Sequence, residues 1–158
     1  NKKLHQIDIF KNCILIDSLI RVLKSNIDDT WNNENREICI SIFSQLSENI
    51  NNNNILLDLL NSLIKLLDDS NKIIRKSSAL AIYTLIQNKF LILPDDVCKN
   101  IFPILLLHMD DDSSSISEII YNILSIGKKI NSQAFLRELE HTQESTPHAK
   151  KFKQQLMK

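Results

Sequence analysis

Glycine occurs once in this chain of 158 residues and proline three times. Tight β-turns draw heavily on both, so their scarcity leaves little material for hairpins and predicts an all-α fold. An excess of charge of one sign is also missing, because 19 Lys and Arg balance 19 Asp and Glu. That removes the usual electrostatic argument for nucleic acid or an anionic membrane surface, and neither is expected as a partner. No apolar run approaches the roughly 18 residues of a membrane span. Cysteine is sparse and odd in number: Cys13, Cys39 and Cys98 stand far apart, each within an apolar helical pattern. They are expected to be buried free thiols in a reducing compartment rather than a disulfide framework.

Hydrophobic residues make up 43% of the chain, enough for a packed core in a single domain over residues 1–158. Their arrangement is periodic. Acidic turns recur at Asp28-Asp29, Asp68-Asp69 and Asp110-Asp111-Asp112, at intervals of about 40 and about 42 residues. An apolar helical run precedes each turn (14–23, 55–67, 101–109) and another follows it (38–46, 73–86, 116–126). The second runs superpose residue by residue. Arg36, Arg75 and Ser117 open them; Ile40, Ala79 and Tyr121 follow four residues on. Ile42, Ala81 and Ile123 come at six, Phe43, Ile82 and Leu124 at seven, and Leu46, Leu85 and Gly127 at ten. Steps of three, four and seven put these side chains on one helix face. A single helix pair cannot bury that face alone, so neighbouring pairs must stack.

The same spacing assigns local roles. Asp69, Ser70 and Asn71 suit the capping of the helix that carries Arg75, and 110–115 suits the next. The arginines lie within reach of turn aspartates in their own or a neighbouring unit. On the first helix, expected over about 4–24, Leu15, Leu19, Val22 and Leu23 are spaced for one buried face. Trp31 precedes the second helix as a hydrophobic staple. The tract 51–54 of four asparagines reads as an exposed loop between units. Gly127 reads as the stop of the sixth helix, expected over 115–128. Beyond it the rhythm breaks into two shorter amphipathic helices at 132–141 and 147–158, with Pro147 in the first turn of the last and Ser145 or Thr146 capping it. Ala134, Phe135, Leu136, Leu139, Phe152 and Leu156 would pack inward as a cap.

The residues Asp69, Ile74 and Arg75 resemble the HEAT repeat, which carries Asp in the turn and Val-Arg at the start of the second helix; Pro103 resembles the proline that kinks the family's first helix, and Asp110 its turn acid. Ser117 departs from the pattern. The resemblance implies a right-handed α-α superhelix of the HEAT and armadillo kind. It would hold three helix pairs at about 4–49, 53–89 and 95–128, followed by a cap over about 132–158. A stack of this kind presents a concave ridge of second helices, on which Glu37, Lys76, Ser77, Glu118 and Asn122 are the candidate partner-binding residues.

Constellations that would carry chemistry do not emerge. The acidic stretch 110–115 lacks the glycine and closing Glu of a calcium loop. His141 and His148 are seven apart with no clear third ligand, so no metal is expected there. His108 sits where a helix C-terminus favours it. Lys150, Lys151, Lys153 and Lys158 read as a solvated basic face. The expectation is therefore a non-catalytic protein with no cofactor and no small-molecule ligand.

One likeness is narrower. Ile104-Leu105-Leu106-Leu107-His108-Met109-Asp110-Asp111 resembles the LLVHLDD-type segment near the C-terminus of HEAT-repeat axonemal dynein assembly factors. Order and spacing agree from Leu66 onward, over about 90 residues. That resemblance implies a cytoplasmic factor for the preassembly of dynein arms, with dynein chains and chaperones as partners. The chain would be the C-terminal part of a longer array, since it opens on Asn1 inside a helical pattern and its periodicity fades toward Lys158. The competing expectation is another HEAT adaptor: a transport receptor, a microtubule-binding protein or a phosphatase scaffold. HEAT-like enzymes repeat His-Glu pairs across units, and this chain does not.

Overall fold

The computed structural model describes residues 15–16, 18–29, 31–47, 50, 52–89, 95–141 and 147–157. The expectations for Cys13, Asn51, Ser145, Thr146, Lys158, the side chain of His148 and the start of the first helix lie outside these residues. Among the described residues every regular element is helical. The first helix, α1, is described at 15–16 and 18–27. Then come α2 (Asn33–Leu46), α3 (Asn53–Lys65) with a 3-10 turn at Leu66–Asp68, and α4 (Lys72–Lys89). α5 (Asp95–Leu107) ends in a 3-10 turn at His108–Asp110, followed by α6 (Ser114–Ile130), α7 (Ser132–His141) and α8 (Pro147–Met157).

The helices pack in two rows. α2, α4 and α6 lie side by side, with α4 in contact with both of the others and with α3 beneath it. α3, α5 and α7 form the second row, and α7 also touches α6. α8 settles on α6 and on the turn after α5. The core lies between the rows. α3 turns Leu56, Leu59, Leu60, Leu63 and Ile64 into it, and α6 turns in Ile116, Ile120, Ile123 and Leu124. Each such leucine or isoleucine is worth about 1.5–3 kcal/mol when fully buried. The six superposed positions at four and seven residues past Arg36, Arg75 and Ser117 are all buried or half-buried, as their spacing predicts.

The final pair joins by aromatic contact. Phe135 of α7 meets Phe102 of α5 edge-on, with ring centroids 5.4 Å apart. Phe152 of α8 stacks on Tyr121 of α6 at 4.8 Å. The Nζ of Lys128 donates to the Leu156 carbonyl at 2.8 Å. Ala134, Phe135, Leu139 and Leu156 are buried, and Leu136 and Phe152 lie half-buried against them. Cys39 and Cys98 are buried and neither is in a disulfide, and burial pushes the Cys39 thiol up.

Four local expectations need correction. On α1 the stripe that enters the core is Ile16, Ile20, Leu23 and Ile27, while Leu15, Leu19 and Val22 are exposed. Both stripes have helical spacing, so the pattern alone does not decide which faces inward. Trp31 is 94% exposed and staples nothing. Instead Asn32 caps α2, its side chain accepting from the Asn35 N–H at 3.0 Å. The asparagine tract is not all loop. Asn52 caps α3 by accepting from Asn54 N–H, and Asn53 and Asn54 form its first turn. Gly127 does not stop α6, which runs three residues further to Ile130.

Gly127 serves packing. A Cβ there would lie 2.8 Å from Cε1 of Phe102, closer than carbon atoms approach. The Phe102 ring cannot swing away cheaply, being buried and held edge-on by Phe135. Glycine costs about 1 kcal/mol relative to alanine in a helix, but over-packing costs about 1–3 kcal/mol. Gly127→Ala is therefore expected to lower stability by about 1 kcal/mol in urea unfolding, against its helix propensity. Shrinking the ring with Phe102→Leu should remove the penalty of adding the methyl. An alanine variant more stable than the parent would contradict the close contact.

Candidate partner-binding surface and the turns that hold it

The three acidic turns share one geometry. Asp29 Oδ1 accepts the N–H of Trp31 at 3.0 Å, Asp69 Oδ1 that of Asn71 at 2.8 Å, and Asp111 Oδ1 that of Ser113 at 2.8 Å. Each is a turn closed by an aspartate side chain on the backbone two residues on. In the second turn Asn71 then accepts from Ile73 N–H and caps α4.

Arginines tie successive turns together. Arg36 is buried; its Nε donates to the Ile27 carbonyl in its own turn at 2.9 Å, and its Nη2 reaches Asp69 of the next turn at 2.5 Å. Arg75 repeats the arrangement one unit on. Its Nη1 donates to the Asp69 carbonyl at 3.1 Å, its Nε to Asp111 at 2.9 Å and its Nη2 to Asp112 at 2.5 Å. Each guanidinium thus spans its own turn carbonyl and the following turn's carboxylate. Ser117, at the third such position, keeps the first half alone: its hydroxyl reaches the Asp111 carbonyl at 3.2 Å and the Ser113 carbonyl at 3.3 Å. The departure seen in the sequence is thus a two-rung series ending in a neutral group.

The assignment of Asp110 as the third turn's structural acid needs correction, because Asp111 is the acceptor. Counting back six residues from Ser117 reaches Asp111, just as six back from Arg75 reaches Asp69. That register was the available signal. Pro103 sits inside α5, half-buried.

The charges are tuned accordingly. Burial raises the Asp69 carboxyl, but the Arg36 hydrogen bond, the Asn71 N–H and the Arg36 and Arg75 charges outweigh it and hold it below the ordinary carboxylate range. Asp111 is likewise held low: burial opposes, and Arg75, the Ser113 N–H and Asp112 prevail. The hydrogen bond to Asp111 raises Arg75 further. His108, in the third turn, stands 3.6 Å from Asp68 in the second. Burial pushes its imidazole below the usual value, with Arg75 adding to the shift and Asp68 and Asp111 opposing it.

These turns set the register of the outer ridge. Glu37, Lys76 and Glu118 occupy one equivalent position on α2, α4 and α6, one residue after Arg36, Arg75 and Ser117, and all three are exposed. Ser41, Leu80 and Asn122 form a second exposed column four residues further on. Ser77 is half-buried, its hydroxyl 3.4 Å from Glu37 Oε1. A groove of about 210 Å3 runs between α2 and α4, with Ile40 and Ala81 below and Glu37, Ser44, Ser77 and Leu80 around it. The five candidate residues therefore share one row of helices, and Glu37 and Ser77 meet in its groove. The sequence reading missed Leu80, an exposed leucine beside that groove; its place one helical turn past Lys76 was the clue.

No family model matches the chain, and no curated protein matches it. Among solved structures, the crystal structure of an engineered protein from the Northeast Structural Genomics Consortium is similar, at 12% identity and a TM-score of 0.59. The likeness covers 87% of this chain and 60% of that one, so the chain spans less than two thirds of its length. At that identity the likeness is one of fold. No described helix is long and apolar enough to cross a membrane.

Removing one partner of a buried ion pair costs about 3–5 kcal/mol, because the other charge stays buried and unpaired. Arg36→Gln and Asp69→Asn are each expected to cost about that much, and the double variant much less than their sum. Additive losses would show that the pair does not act as a unit.

Acid should unfold the protein in two stages. His108 is shifted down, so its contribution is full above about 6.5 and fades as pH falls from there toward its folded value. Asp69 and Asp111 are also shifted down; theirs is full above about 4 and is lost as pH falls through their folded values. The urea midpoint, followed from pH 8 to 3, is expected to dip below pH 6.5 and fall again below pH 4. His108→Gln should flatten the first stage alone. A parent midpoint that is level between pH 7 and 5 would exclude the histidine's role.

Proposed function

We propose that this chain is a non-catalytic protein-binding scaffold of the HEAT type, a right-handed α-α superhelix that works in the cytoplasm in the preassembly of axonemal dynein arms, with dynein chains and chaperones as partners. One observation carries the binding role: the division of labour among the charged groups. The buried guanidinium of Arg36, the half-buried one of Arg75 and the carboxylates facing them hold the units in register. On the row of α2, α4 and α6, the exposed Glu37, Lys76 and Glu118 stand in one regular column, with Ser41, Leu80 and Asn122 in a second, flanking a shallow groove with an apolar floor. Regular columns on a rigid row suit an extended partner surface rather than a convergent reaction centre. The narrower dynein-arm reading is supported by the segment 104–111, whose likeness covers the end of α5 and the turn that receives Arg75.

A second reading is another HEAT adaptor, of the transport, microtubule or phosphatase-scaffold type. Trp31 favours it. A tryptophan exposed at 94% on an inter-helix turn is an unusual anchor, and tryptophan is enriched among residues that dominate binding energy.

The two readings separate by affinity purification from cells building flagella. The intact protein is expected to bring down dynein heavy or intermediate chains with chaperones. The double variant Lys76→Glu, Leu80→Asp, altered on the exposed columns alone, should lose them at unchanged melting temperature. Recovery of tubulin, nuclear-pore proteins or a phosphatase catalytic subunit in their place would replace the first reading by the second.

A further inference from the structure

Equivalent positions in the three units differ in one respect. In the second and third turns the aspartate receives an arginine from the unit before it: Asp69 from Arg36, and Asp111 from Arg75. Asp29 closes the same turn with the same backbone bond, yet it is exposed, and among the described residues no cation is paired with it.

The helix faces on that side agree. Leu59 of α3 and Ile101 of α5 stand ten residues before Asp69 and Asp111, and they are 1% and 2% exposed. Leu19 stands ten before Asp29 and is 40% exposed. Leu15, the counterpart of Ile55 and Val97, is 66% exposed where those two are half-buried. Ile55 borders the groove between α3 and α1, so this position looks toward the preceding unit. On the second helices Ile38 is the counterpart of Ser77, which bonds back to Glu37 of the preceding helix; Ile38 is 57% exposed. Leu15, Leu19, Ile38 and Asp29 therefore share one side, the side on which every later unit is covered by its predecessor.

We propose that this side is a docking surface for a further helix pair of the same repeat type, whose first helix covers Leu15 and Leu19 and whose second helix delivers an arginine to Asp29. The occupant's chemistry follows from the two filled rungs: a guanidinium aimed at a turn carboxylate, beside an apolar helix face. The apolar stripe repeats on α1 the position by which Ile55 of α3 borders α1. Neither argument depends on which partner the outer ridge binds, so the test reads stability and leaves partner capture aside.

The test extends the whole chain with a second copy of residues 50–94, which includes Arg75, joined ahead of Asn1. The extended protein is expected to unfold in urea in one transition with a raised midpoint. Asp29→Asn should then lower the midpoint by about 0.5 M in the extended protein and leave the parent unchanged. Arg75→Gln in the added copy should abolish that difference. Leu19→Ser provides a second reading, costly in the extended protein and nearly neutral in the parent. Equal effects of Asp29→Asn in both proteins, or a separate unfolding step for the added copy, would overturn the proposal. So would a parent dimer in sedimentation that Leu19→Glu dissolves, since the occupant would then be a second copy of the chain.

Discussion

The guanidinium that spans two turns is the constraint on which the rest of the packing depends. Arg36 and Arg75 cannot be satisfied within their own units, since each finds a carbonyl there and its carboxylate in the next turn. Such a pair adds little net stability over an apolar replacement, yet breaking it is costly. Its effect is on register. If α4 slid by one helical turn along α2, Arg36 would lose Asp69 and keep a buried, unpaired charge. The geometry in which both arginines are paired is the one in which the helix rows align.

That alignment explains the exposed ridge. Glu37, Lys76 and Glu118 form a column because the residue before each is pinned to its turn. The neutral core contributes free energy but little address, since leucines at helical spacing pack acceptably in more than one register. Polar ties add to the specificity. Ser78, buried on α4, donates to the Leu63 carbonyl of α3, so even the contact between the rows carries a directional bond.

Much of this was legible from the order of residues. Helix type, the outer bounds of the pair at 53–89 and the bounds of α7 follow from apolar spacing and from capping residues, and the arginine positions from the repeat. What escaped shares a physical cause: local pattern does not say what lies across an interface. α1 carries two apolar stripes, and the choice between them depends on α3. Gly127 looks like a helix end until the Phe102 ring is placed against it. Trp31 has the position of a staple without a partner to clasp. Asp110 and Asp111 are neighbours of identical chemistry, and the direction of Arg75 decides between them. The outer columns were found because exposure, like burial, repeats with the helix period; Leu80 was passed over because apolar residues were assigned inward by default.

The two ends of the arginine series obey the same electrostatics with opposite results. An arginine at position 117 would be buried as Ser117 is, and its charge would need a carboxylate from a further turn. Without one, the desolvation penalty would be several kcal/mol. A serine there is neutral, and its hydroxyl has two carbonyls within reach. The junction beyond it is then made by Phe135 on Phe102 and Phe152 on Tyr121, contacts that need no charge to be matched. At the other end the aspartate can stay in water at little cost while it waits for a cation, because a solvated carboxylate is satisfied by solvent. The series is therefore closed on its donor side, where an unmatched group would be buried, and open on its acceptor side, where an unmatched group is exposed. Growth of such a stack is tolerated in the direction where incompleteness costs least.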